Sequence, residues 1–170
     1  GGVSPAPWNS LNFSVTRGDT PERVAENHQR LAAALDYDAA RLVTCTQMHG
    51  TGIAKVDAHD AGSKQKGCDG LITDTPGLPL GLVFGDCVPV LVYDPVGHVL
   101  GAVHAGWRGT VNGAAAALLW AMQAGFDTQP ANVLACVGPS IGPANYEVGS
   151  EVLQMARALM PDADALLAWP

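Results

Sequence analysis

The run LGLVFGDCVPVLVYDPVGHVLGAVHA, residues 80–105, restricts the fold more than any other part of the chain. Val, Leu, Gly and Ala fill most of it, and LGLVFGDCVPVLVYDP and HVLGAVHA read as closely spaced strands or strand pairs with Pro95-Val96-Gly97 as the connecting turn. Near-continuous apolar strands of this kind predict burial on both faces, so other elements must pack above and below them. Helices are at hand. In GDTPERVAENHQRLAAALD, residues 18–36, Thr20 caps a helix, Pro21 takes its first position, Glu22 lies in its first turn, and Val24 and Leu31 share a face. TVNGAAAALLWAMQAGF, residues 110–126, predicts a second helix ended by Gly125, and SEVLQMARALM, residues 150–160, a closing one. RLVTCTQ (41–47), GIAKVDA (52–58), GLITD (70–74) and NVLACVGP (132–139) read as further strands, the last of them buried. Residues up to Gly18 read as loop and turn, and AHDAGSKQKGCD (58–69) as a polar loop. Helices and strands mixed around a hydrophobic sheet make the fold class α/β or α+β.

A chain of 170 residues suits one domain with a core large enough to fold without staples. Hydrophobic residues make up 48% and charged residues 15%, with a formal net charge of -7. That balance argues against non-specific binding to a nucleic-acid backbone, while leaving room for a local basic pocket for one small anion. Four scattered cysteines, at 45, 68, 87 and 136, form no CxxC pair and read as thiols of a reducing cytoplasm. The opening GGVSPAPWNSLNF has neither the basic nor the apolar segment of a signal peptide, and the apolar runs are broken by Asp86 and Asp94 before they could span a bilayer. The expectation is a cytoplasmic protein with no membrane partner.

Against this apolar background, three metal-ligating residues fall at strand ends. His49 follows the strand at 41–47, Cys87 interrupts the strand pair beside Asp86, and His104 closes the strand at 98–103. If those strands are neighbours, two imidazoles and a thiolate meet. Such a set suits zinc with one open position, and also matches the equatorial ligands of a copper site. Taken one at a time, a His at a strand end is as well read as a hydrogen-bonded residue, and a Cys in a strand as packing. HAGWRGT, residues 104–110, adds a strand, a Gly-rich turn and a helix starting near Thr110, where Arg108 offers an anion contact or pairs with a carboxylate. Asp69 in CDGLITD and Asp86 are candidate acids, bases or supports for a ligating histidine, or else turn residues. His28, His59 and His98 fall on a helix surface, in a polar loop and at a turn, and are discounted as ligands. GPSIGPANYEVG, residues 138–149, can shape a pocket wall, and Trp107, Tyr146 and Phe84 can stack on a planar ring or simply fill core.

The motifs TQMHG, CDGLITD, GDCVPVLVYDP, GAVHAGWRGT and VGPSIGPANYEVG appear in that order. Together they resemble the YfiH family, also called the polyphenol oxidase laccase-domain family, over nearly the whole chain. The resemblance implies a layered α/β/β/α sandwich with mixed sheets. It implies zinc, or alternatively copper, on the histidine of QMHG, the cysteine of GDC and the histidine of HAGWRG, here His49, Cys87 and His104. It also implies a purine nucleoside phosphorylase acting on adenosine, inosine or methylthioadenosine, with adenosine deaminase activity. The partners would be the nucleoside and phosphate, and the assembly a monomer or homodimer. Asn12 and Arg108 are the candidate phosphate or substrate contacts, and Asp69 and Asp86 the candidate acid/base or supporting groups. The chain departs from the pattern at GGVS and at Pro170, so residues 1–170 are expected to form a single domain without the family's extreme N- and C-terminal segments. Ala144 and Asn145 stand where many members have cysteines.

Two other activities fit the same residues. A copper-dependent phenol oxidase is one, but a multicopper centre takes about ten histidines, and this chain has five. A cysteine-dependent hydrolase that edits peptidoglycan precursors is the other, with Cys87 as nucleophile between two histidines.

Overall fold

In the computed structural model, which describes residues 1–167, the apolar run forms the centre of a five-stranded mixed sheet. The elements in chain order are α1 (Pro21–Leu35), β1 (Val43–Cys45), β2 (Ile53–Lys55), β3 (Lys64–Gln65), β4 (Gly70–Thr73), β5 (Leu80–Gly81), β6 (Val88–Asp94), β7 (Val99–Ala105), α2 (Trp107–Val111), α3 (Ala114–Phe126), β8 (Leu134–Val137), α4 (Ser150–Leu159) and α5 (Ala163–Leu167). The large sheet runs β2-β4-β7-β6-β8; a small parallel sheet runs β3-β1-β5. Two cores result. Against one face of the large sheet, Ile72, Val92, Val99 and Val103 pack on Ala114, Leu118 and Met122 of α3. Between the sheets, Val43 and Cys45 of β1 meet Leu71 of β4, with Val56, Cys68 and Leu78 around them. The mixed α/β class expected from the sequence is the one observed. No helix among the described residues is long and apolar enough to cross a membrane.

Helix α1 begins where its capping residues place it: the Thr20 side chain accepts from the Arg23 N–H, and Pro21 opens the helix. Its Asn27, fully buried, ties down the N-terminal segment by donating to Ser4 and to the Asn12 carbonyl and accepting from the Val3 N–H.

Four expectations are corrected. The segment 110–126 is not one helix: α2 starts at Trp107, Gly113 turns left-handed at φ 80, and α3 follows. The stop falls at Asp127, also left-handed, while Gly125 lies inside α3, where its carbonyl accepts from Lys55 Nζ. The strands within residues 80–94 are neither one strand nor a pair with each other. β5 belongs to the small sheet, and beyond it the Gln47 amide bonds both the Val83 carbonyl and its N–H in place of a neighbouring strand. Burial on both faces also fails at one side of the large sheet. Leu91 and Tyr93 of β6 are partly exposed, and all four residues of β8 are exposed, because β8 is an edge strand and the inter-sheet core covers only the β2–β4 side. The loop at 58–69 holds a short strand, β3, paired to β1.

Candidate metal centre

Strand register brings three distant residues to one place. β6 and β7 pair antiparallel with Val88 opposite Ala105, so Cys87, one residue before β6, arrives beside Gly106. β4 and β7 pair with Gly70 opposite Val103, so Asp69 lies opposite His104, whose N–H donates to the Asp69 carbonyl at 2.7 Å. The loop after β1 carries His49 to the same end of the sheet. One ligand atom each from His49, Cys87 and His104 lie within 4.8 Å of one another. The two imidazoles meet edge to face, with centroids 4.8 Å apart. His104 is buried, Cys87 half-buried and His49 exposed, so the centre lies at the surface with one wall of protein behind it.

The Asp69 carboxylate, 1% exposed, forms that wall. Its Oδ1 accepts from the His49 N–H at 2.8 Å and pairs with His104 Nδ1 at 3.0 Å. Its Oδ2 accepts from the Met48 N–H at 3.1 Å and the Gly50 N–H at 2.8 Å. Burial works against this charge, yet these hydrogen bonds, that from Gly50 the largest, hold the carboxyl below the usual aspartate range. Burial pushes the Cys87 thiol up, with the Asp86 and Asp69 carboxylates adding to it. A cation held beside this thiol would favour the thiolate. Phe84 leans on the His104 ring at 5.6 Å between centroids.

The donor set therefore fits a metal ion. Asp69 occupies His104 Nδ1, which leaves Nε2 as that ring's ligand atom, and two imidazoles with one thiol match the preferences of zinc and copper alike.

Beside Cys87 opens a mostly apolar cavity of about 910 Å³, lined by Asp86, Trp107, Tyr146, Glu147 and Leu153 among others. Burial raises the Tyr146 phenol, and the neighbouring Cys87 and Asp86 raise it further. Asp86 itself is exposed. Arg108 is exposed on α2 with its guanidinium 4.1 Å over the Trp107 ring. Asn12 lies in the N-terminal loop, where its amide donates to Ser14 and Asp19 and accepts from the Ser14 N–H. His28 stacks on Phe13, His98 bonds Tyr93, and His59 is exposed in the loop before β3. None of these three joins the ligand cluster. The site residue that sequence reasoning missed is Gly106, read there only as part of a turn. A Cβ at Gly106 would lie 2.8 Å from His49 Cδ2 and 3.3 Å from Cys87 Sγ, so its bare backbone makes room for both ligands. The signal was its place directly between a ligand-bearing strand and a helix start.

The family model described as multi-copper polyphenol oxidoreductase laccase matches residues 1–169. The chain belongs to this family. Among its relatives are two bacterial proteins named purine nucleoside phosphorylase. YlmD of Geobacillus stearothermophilus is 38% identical over 98% of this chain and 63% of its own length. YfiH of Escherichia coli is 38% identical over 97% of this chain and 65% of its own. The chain thus spans less than two thirds of the length of either. Two crystal structures superpose closely. YfiH of Bacillus licheniformis gives a TM-score of 0.93 at 36% identity, over 97% of this chain and 65% of that one. YlmD of G. stearothermophilus gives 0.89 at 38%, over 93% and 61%.

Proposed function

We propose that the chain carries the metal centre of a purine nucleoside phosphorylase, with zinc as the metal on His49, Cys87 and His104. The observation that carries this reading is the convergence of those three donors beside a cavity, in a chain 38% identical to proteins named for that activity. Phosphorolysis forms a bond from a phosphate oxygen to the anomeric carbon of the sugar as the bond to the purine nitrogen breaks. The purine leaves with the electron pair and takes up a proton.

A cation held by the three donors would supply positive charge against the phosphate or the departing base. The chain's own groups supply the rest. The mostly apolar cavity beside Cys87 offers a surface for the nucleoside, with Trp107 and Tyr146 presenting ring faces to a planar base. Asp86, exposed at the same cavity, carries the proton to the leaving nitrogen, and would serve the same end in adenosine deamination. Arg108, on the helix that follows His104, offers the charged contact for phosphate.

The family's description names a multi-copper oxidoreductase. The described residues gather a single three-donor cluster, His49, Cys87 and His104, which suits one metal ion and not several coppers.

The test is chromatography of adenosine incubated with the purified chain, with and without phosphate. Adenine that forms only with phosphate, and disappears with Cys87→Ala, is the expected result. Absence of both adenine and inosine from folded, zinc-loaded protein would end the purine reading for this chain.

A further inference from the structure

We propose that Asp69 is the positioning residue for both imidazole ligands, holding one through its ring and the other through its backbone, so that the metal centre is assembled before metal arrives. The inference rests on the metal reading of the site and is independent of any purine chemistry.

The two grips differ. His104 is held directly: its Nδ1–H donates to Oδ1, which selects the tautomer whose Nε2 lone pair is free. His49 is held indirectly. The N–H groups of Met48, His49 and Gly50 are three in succession, and all converge on the one carboxylate. Three consecutive N–H groups face one point only if the backbone curls into a concave anion nest. At His49 that curl requires a left-handed φ of 59°, which a residue with a Cβ rarely adopts unaided. The anion at Asp69 therefore stabilises the backbone twist that fixes where the His49 ring begins. Cys87 has no such grip. The centre is two imidazoles set by one carboxylate and a thiol delivered by β6.

An isosteric amide breaks this arrangement whichever way it turns. In Asp69→Asn, one of the two oxygens becomes an NH2 donor facing two groups that also donate. With NH2 at the Oδ1 position, the contacts to the His49 N–H and His104 Nδ1–H are lost, and the His104 ring is driven to the Nε2–H tautomer that cannot ligate through Nε2. With NH2 at the Oδ2 position, the Met48 and Gly50 bonds are lost and the nest opens. Removal of one carboxylate behind a metal-binding histidine typically costs about 10- to 100-fold in affinity. Here both ligands depend on it, and a loss at the upper end of that range is expected.

The test has three arms. The first needs no variant: nitrogen-15 NMR of the metal-free wild-type protein, above the imidazole titration range, should show His104 protonated at Nδ1. The Nε2–H tautomer in that spectrum overturns the proposal. In the second, zinc is competed against a chromophoric chelator, and cobalt(II) reports the ligand field and the Cys87 charge-transfer band. Asp69→Asn should weaken zinc toward about 100-fold and alter the cobalt spectrum. The third arm separates positioning from stability. Asp94 is a carboxylate, 2% exposed, that also accepts two backbone N–H groups, from Val96 and Gly97, at the far end of β6. Asp94→Asn should lower the melting temperature of the metal-free protein while leaving zinc affinity and cobalt spectrum as in wild type. If Asp69→Asn behaves like Asp94→Asn, or wild type binds no zinc, the proposal fails. Normal zinc binding without purine turnover would instead count against the phosphorylase reading alone.

Discussion

Gly106→Ala tests the geometry of the centre with a single methyl group. Gly106 has φ -69° and ψ 170°, an extended backbone open to any L-residue, so the substitution brings no main-chain strain. Its Cβ, however, would lie 2.8 Å from His49 Cδ2 and 3.3 Å from Cys87 Sγ. The His49 contact is about 0.6 Å short of ordinary carbon–carbon packing. Overpacking on this scale costs about 1–3 kcal/mol when the surroundings cannot move. Here they can, because His49 is exposed and its ring can swing outward. The cost then falls on holding the ring in ligating position, and 1–3 kcal/mol corresponds to roughly 5- to 150-fold in metal affinity.

The assay is zinc competition against a chromophoric chelator, with the melting temperature of the metal-free protein alongside. Gly85→Ala is the control: it lies two residues before Cys87, and a Cβ there meets nothing within 4 Å. Gly106→Ala should lose affinity with a melting temperature close to wild type, and Gly85→Ala should change neither. Wild-type zinc affinity in Gly106→Ala would refute the claim that this glycine makes room for the ligands. A large fall in melting temperature with unchanged affinity would show that the methyl is resisted by the fold and not by His49.

Leu118→Ala, in a fully buried side chain of α3 facing the large sheet, should destabilise the protein by about 2–5 kcal/mol in denaturant titration, with zinc affinity unchanged. Asp94 supplies a pH dependence. Its carboxyl is held below the usual range, first by the Gly97 N–H and then by that of Val96. Its contribution is therefore complete above the unfolded carboxylate range near ~4 and disappears as pH falls through the lower folded value. The gap in melting temperature between wild type and Asp94→Asn should close as acid is added below about pH 4; a gap that persists unchanged at the acid end would contradict the hydrogen-bonded assignment.

What the sequence disclosed about this protein follows how local each feature is. Thr20 and Pro21 announce α1 because capping is decided within a few residues. The apolar hairpin of β6 and β7 is readable because its turn and both strands are contiguous. Cys87 and His104 stood out because apolar patterning marks the strand ends they occupy, whereas His49 lies in the loop between β1 and β2 and is tied to them by the family resemblance. Coverage was not readable, since whether Leu134–Val137 is buried depends on which strand lies at the edge, and no residue in that strand encodes it. The left-handed turn at His49 was equally hidden. Neither Gly nor Asn stands there, and the cause is a carboxylate twenty residues on, just before β4. Asp69 looks like a turn residue in CDGLITD until the β4–β7 register puts it opposite His104. The candidate donors are thus local signals, while the carboxylate bonded to two of them is placed by sheet register. For this fold, a search for supports of a metal centre should begin from the residues paired across the sheet with its ligands, rather than from those beside them in the chain.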